Sequence, residues 1–144
     1  LLVPWLLEPR WMTMLTDEQK SWLDAGIAEF DSGRFWDAHE EWEDLWKSLK
    51  AQDYDILYVK GIQGLIQSAA LLFQVEKQNR RGVVNMWGKL TDKLGLPENP
   101  KMADLWGIEV EPLLTALQPF YLDAASDQPL WELLASEVKI ANLS

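Results

Sequence analysis

The sequence predicts an all-α fold of about five to six helices, packed as antiparallel hairpins around a central apolar helix at about residues 54–77. Three observations predict it. Apolar residues recur at spacings of three and four along most of the chain. Capping and stop residues fall where that periodicity begins and ends. No stretch alternates apolar and polar residues for long enough to make a strand. At 144 residues the chain has the size of one domain with a core, so 1–144 reads as a single domain.

The first helix starts at Thr16-Asp17-Glu18-Gln19, a capping box with acidic residues in the positive first turn. Trp22, Leu23, Ile27 and Phe30 carry its apolar stripe, and Asp31-Ser32-Gly33 stops it, because Gly33 can adopt the left-handed conformation without steric cost. The second helix, about Phe35 to Leu49, follows after a short link and therefore folds back on the first. Phe35, Ala38, His39, Trp42, Leu45, Trp46 and Leu49 share one stripe, with Asp37, Glu41 and Asp44 mostly off it.

After Ala51-Gln52-Asp53 the third helix is apolar nearly all round, which marks it as the buried one. Gly61, Gly64 and Ser68 would let another backbone approach it closely. Asn79 is the expected N-cap of a fourth helix that carries Val83, Met86, Trp87, Leu90 and Leu94 to a stop at Gly95 and Pro97. A fifth runs near Val110–Leu122 with Pro112 in its first turn, and Pro119 should kink it or end it early. Leu130 to Val138 is read as a last helical piece.

Composition bounds the function. With 23 acidic against 13 basic side chains the net charge is −10, a field that repels a phosphate backbone and argues against nucleic acid. The basic run Lys77, Arg80, Arg81, Lys89, Lys93 and Lys101 reads first as internal charge complementarity, and second as an anion site. No cysteine is present, so thiolate chemistry is out and a cytoplasmic setting is compatible. The apolar start Leu1–Leu7 is broken by Pro4 and too short to span a bilayer, so no membrane is expected.

The run HEEWEDLW on the second helix is the chemically richest segment. His39, the sole histidine, and Glu43 are four apart and share a face, with Trp36 and Trp46 around them, while Glu40 lies about 100° round from His39. Gln63, Gln67 and Gln74 line one side of the third helix and could hydrogen-bond His39, Glu43 or an indole N–H across the hairpin. The first reading is thus a self-satisfied polar network that fixes helix register. A groove for a small molecule or a protein segment follows, and the same residues would suit a homo-oligomer interface.

An enzyme using the His39–Glu43 pair, as a metal centre or as an acid–base pair, is the alternative. HExxE resembles the zincin HExxH, but a single histidine excludes two-His and three-His zinc sets, and the Glu-x-x-His motifs of di-iron bundles are absent. His39 and Glu43 are the remaining metal candidates, and no cofactor is implied. Ser68 matches a nucleophile by residue type alone.

The Gly33-Phe35-Ala38 turn loosely resembles a tetratricopeptide hairpin. A more specific likeness comes from Phe30, Gly33, Phe35, Ala38-His39-Glu40, Trp42-Glu43 and Trp46, followed by Lys60-Gly61-Ile62-Gln63-Gly64-Leu65-Ile66-Gln67 and Ala69-Ala70. These runs are similar to the signature of the bacterial and plastid domain of unknown function 309 family, continued by Asn79, Gly82, Leu90 and Gly107-Ile108-Glu109-Val110. The resemblance spans about residues 20–120, leaving 1–14 and 122–144 peripheral. It implies an all-helical fold of about five helices, no established activity, and a polar signature of His39, Glu40, Glu43 and Gln67 beside Trp46. It also implies a cytoplasmic location, or the plastid stroma if a targeting segment has been removed.

Overall fold

A computed structural model describes residues 14–143. The peripheral segment expected over 1–14 lies outside the described residues apart from Met14. Five α-helices follow one another: α1 (Asp17–Asp31), α2 (Phe35–Ala51), α3 (Ile56–Glu76), α4 (Arg80–Leu94) and α5 (Val110–Ala125).

Local chemistry fixes the boundaries. The Thr16 hydroxyl accepts from the Gln19 amide at 3.1 Å while the Gln19 side chain accepts from the Thr16 amide at 3.0 Å, closing the capping box. Asn79 caps α4 by accepting from the Gly82 amide at 3.2 Å. The first three helices each end in a residue at positive φ, namely Gly33, Asp53 and Gln78. At each end the next amide returns to a carbonyl five residues back: Arg34 to Glu29, Tyr54 to Leu49 and Asn79 to Gln74. These tight ends turn the chain back, so each helix packs against its neighbours in sequence, with α3 between α2 and α4.

α3 is long and apolar enough to cross a bilayer, yet Ile62, Leu65, Leu71 and Leu72 are fully buried among the other helices. The small residues expected to admit a backbone admit leucine side chains instead. A Cβ on Gly64 would stand 2.4 Å from Leu94, and one on Gly61 2.4 Å from Leu105. Ser68 donates to the Gly64 carbonyl at 2.8 Å inside the helix and is fully buried, which removes it as a nucleophile.

Three expectations are corrected. Short strands do occur between α4 and α5: β1 (Gly95–Leu96) pairs with β2 (Asn99–Pro100), and β3 (Asp104–Leu105) with β4 (Ile108–Glu109), both antiparallel. Each has two residues, too few to alternate. Pro119 does not end α5, which continues to Ala125 because Leu113, Leu114, Leu117, Phe120 and Ala124 hold it on the core while Pro119 stays on the exposed side. The piece expected over 130–138 shrinks to a 3-10 turn at Ala135–Glu137. The Asp123 carboxylate captures the amides of Leu130 and Trp131 at 2.9 and 3.0 Å, and Trp131 takes a left-handed φ of 55° that a helix cannot continue through. The tail is then tied back to α1, where the Asp31 carboxylate accepts from the amides of Ile140 and Ala141.

Candidate functional site

Helix α2 presents tryptophans in two environments. Trp42 faces α1, is fully buried, and donates its indole N–H to the Leu23 carbonyl at 3.2 Å. Its ring fills the space a side chain on Gly26 would need, since a Cβ there would stand 2.0 Å from Nε1. Trp36, toward the α3 side, is 48% exposed. It stacks on His39 with ring centroids 4.6 Å apart and touches Phe73 of α3 at 5.1 Å.

His39 Nε2 lies 3.1 Å from the Glu43 Oε1, one turn along α2, as their spacing requires. Its side chain is 16% exposed and that of Glu43 40%, so the pair sits at the edge of the core with the carboxylate reaching solvent. In the neutral imidazole the proton on Nε2 faces Glu43 and leaves Nδ1 an acceptor. Nδ1 is buried without a partner, and so are the Trp46 Nε1 and the Gln67 Oε1.

The Trp36–Phe73 contact sets the register of the antiparallel α2–α3 pair. It puts Gln67 level with the turn that holds Glu43, and Gln63 level with Trp46. Among the described residues no hydrogen bond joins either amide to His39, Glu43 or Trp46. The closed network expected across the hairpin therefore does not form: His39 turns its proton along its own helix, and its ring lies flat against Trp36. Gln74 is spent elsewhere, its Oε1 accepting from the Asn79 side chain at 2.8 Å. Glu40 is exposed, one turn beyond Trp36.

The structure adds residues that sequence reasoning passed over. Lys77 stands 4.6 Å over the Phe73 ring and Lys50 4.8 Å over Trp46, so two of the three aromatic rings along this face carry a cation. Both lysines sit one turn beyond their ring, a spacing legible in the sequence. A second aromatic cluster, Tyr54, Tyr58 and Trp106, packs the opposite end of α3, with centroids 5.0 to 6.4 Å apart. Burial pushes the Tyr54 phenol above its ordinary pKa. Neither the Tyr54 hydroxyl nor the Trp106 Nε1 reaches hydrogen-bond geometry.

Cavities occur away from the α2–α3 face. One of about 490 Å³ is lined by Arg80, Arg81, Val84, Asn85 and Ala125, and one of about 330 Å³ lies between α5 and the tail. The basic run is neutralised partly within its own segment, where Lys93 pairs with Asp92 at 3.1 Å and Lys101 donates to the Asp92 carbonyl. Among the described residues no three His, Asp or Glu side chains converge as a metal would require, so His39 and Glu43 stand without a third donor.

Residues 23–86 match the model of the family described as Domain of unknown function (DUF309), a span narrower than the 20–120 the resemblance suggested. No curated protein matches the chain, and no solved structure does. The matched span contains all of α2 and α3 and hence every residue of the face described above. Over that span the chain is similar to the domain of unknown function 309 family.

Proposed function

We propose that this protein is a binding module whose recognition surface is the α2–α3 face formed by Trp36, His39, Glu43, Trp46 and Phe73, with Gln63 and Gln67 beside them. The observation that carries the reading is Trp36, a large aromatic left 48% exposed although it is held by a stack on His39 and a tilted contact with Phe73. A fixed, half-exposed indole offers contact area with little ordering entropy left to lose, which is why such residues dominate binding energy at interfaces. Beside it the Glu43 carboxylate reaches solvent, which supports orientation of a ligand as well as its attachment.

Binding is favoured over the acid–base alternative by inventory. The His39–Glu43 pair has the spacing of a base and its orienter, but the one hydroxyl considered as its nucleophile, Ser68, is bonded inside α3. Screening the protein by amide and indole NMR against a library of small fragments and short helical peptides tests the reading. Saturable shifts centred on Trp36, His39 and Phe73 are expected. Hits confined to the Arg80–Arg81 cavity or the α5–tail cavity would overturn it, as would a library without hits on this face.

A further inference from the structure

Resting on that reading, we infer that the α2–α3 face receives an arginine side chain of a partner protein, its guanidinium laid over Trp36 and bonded at its edges by Glu40 and Glu43. Three observations lead there. First, the face already stacks cations on its aromatic rings: Lys77 on Phe73 and Lys50 on Trp46. Trp36, the most exposed of the three, carries no such cation among the described residues. Second, carboxylates flank that ring. Glu40 is one turn from Trp36 and Glu43 two turns, so both rise on its side of the helix. Glu40 makes no ion pair among the described residues, and Glu43 engages His39 through Oε1 alone, leaving Oε2 available. Lys47, one turn past Glu43, pairs with neither.

Third, the chain as a whole carries a net −10, a long-range field that draws a cation toward it. A guanidinium suits this arrangement better than an ammonium. It is flat, so it can lie on an indole, and its donors point outward in the ring plane toward carboxylates on either side. His39 then acts as a positioning residue: it backs the indole and holds the Glu43 carboxylate in place.

The test is an NMR titration of the whole protein at low salt with N-acetyl-L-arginine amide, alongside its lysine counterpart and the neutral N-acetylglycine amide. Saturable shifts of the Trp36 indole and His39 ring are expected with the arginine probe, with binding to the lysine probe weaker by about threefold or more. Glu40→Gln and Glu43→Gln should each weaken the arginine probe by about threefold or more, and Trp36→Ala should remove the response while the Trp42 indole signal stays unmoved. Equal binding of arginine and lysine probes, unsaturable drift over the whole acidic surface, or no response to arginine would overturn the inference. If the neutral probe shifts Trp36 and arginine does not, the cation falls and the binding face stands. If no probe or library member moves this face, both fall.

Discussion

The two sides of α2 solve the same problem, placing a tryptophan, in opposite ways. Toward α1, Trp42 is sealed: it nests on Gly26, meets Phe30 at 5.8 Å, and its N–H is bonded to Leu23. Toward α3, Trp36 is held but left half open, and Trp46 keeps an unbonded N–H. The polar residues repeat the contrast. Gln19 is buried and satisfied, its Nε2 donating to Ser48 at 3.0 Å and Gln52 at 2.7 Å, whereas the Gln67 carbonyl is buried and unpaired. A chain that satisfies one side this completely has the means to satisfy the other. The difference separates an α1 side whose polar groups are paired inside the fold from an α3 side that leaves buried polar atoms unpaired and one indole half exposed.

The sharpest way to break the contrast is at Gly26. Gly26→Ala should displace the Trp42 ring and its hydrogen bond together, costing about 3 kcal/mol or more in urea unfolding. A cost near that of an exposed helix alanine would show that Trp42 is not anchored as described. Next in size is the glutamine pair. Gln19→Met should cost about 1–3 kcal/mol, because it strips the capping box and leaves Ser48 and Gln52 without their donor. Gln67→Met removes an acceptor that has no partner, and so should be neutral or stabilising by about 1 kcal/mol in the same assay. Equal losses at both positions would erase the distinction between the two sides.

A smaller effect sharpens the rule that unpaired groups cost little to remove. Tyr54→Phe deletes a buried hydroxyl without a partner and should leave stability near neutral pH within about 1 kcal/mol. Its pH dependence is more specific. Burial raises the Tyr54 phenol above its ordinary value, so the folded chain holds that proton to higher pH than the unfolded chain. Stability is therefore intact below the ordinary tyrosine pKa of about 10 and falls as pH rises through the raised value. Tyr58, raised by burial and by Asp104 and Asp55, adds to the same limb. Melting curves from neutral to alkaline pH should show a shallower loss for Tyr54→Phe than for the parent, and identical slopes would contradict the assignment.

The helices were legible where side chains act on their own backbone. Thr16 with Gln19, Asn79 and Gly33 announce their caps and turns within four residues, and the α2 stripe announces its buried face. Elements decided by distant partners were not. Trp106-Gly107 forms the two-residue loop between β3 and β4 with both φ positive, 49° and 96°, a turn in which a tryptophan is rarely placed. Its indole packs on Tyr54 and Tyr58, some fifty residues earlier in the chain, a contact no local pattern encodes. The fate of 130–138 likewise depends on Asp123, and the course of α5 past Pro119 on its buried leucines.

At the site, spacing alone predicts that His39 meets Glu43 and that Trp36 lies near them. Gln63 and Gln67 mark a side of α3 in the sequence, but spacing along one helix does not fix whether their amides come within hydrogen-bond distance of groups on another. The glutamines expected to close the network were therefore assigned partners they do not meet.

The division of α2 is tested most directly by measuring urea unfolding of Trp42→Ala and Trp36→Ala side by side. The sealed ring should cost about 3–5 kcal/mol and the half-open one about 1 kcal/mol, each with an unchanged denaturant slope. Losses of equal size would contradict the claim, since Trp36 would then serve the core as Trp42 does and would not be held out for a partner.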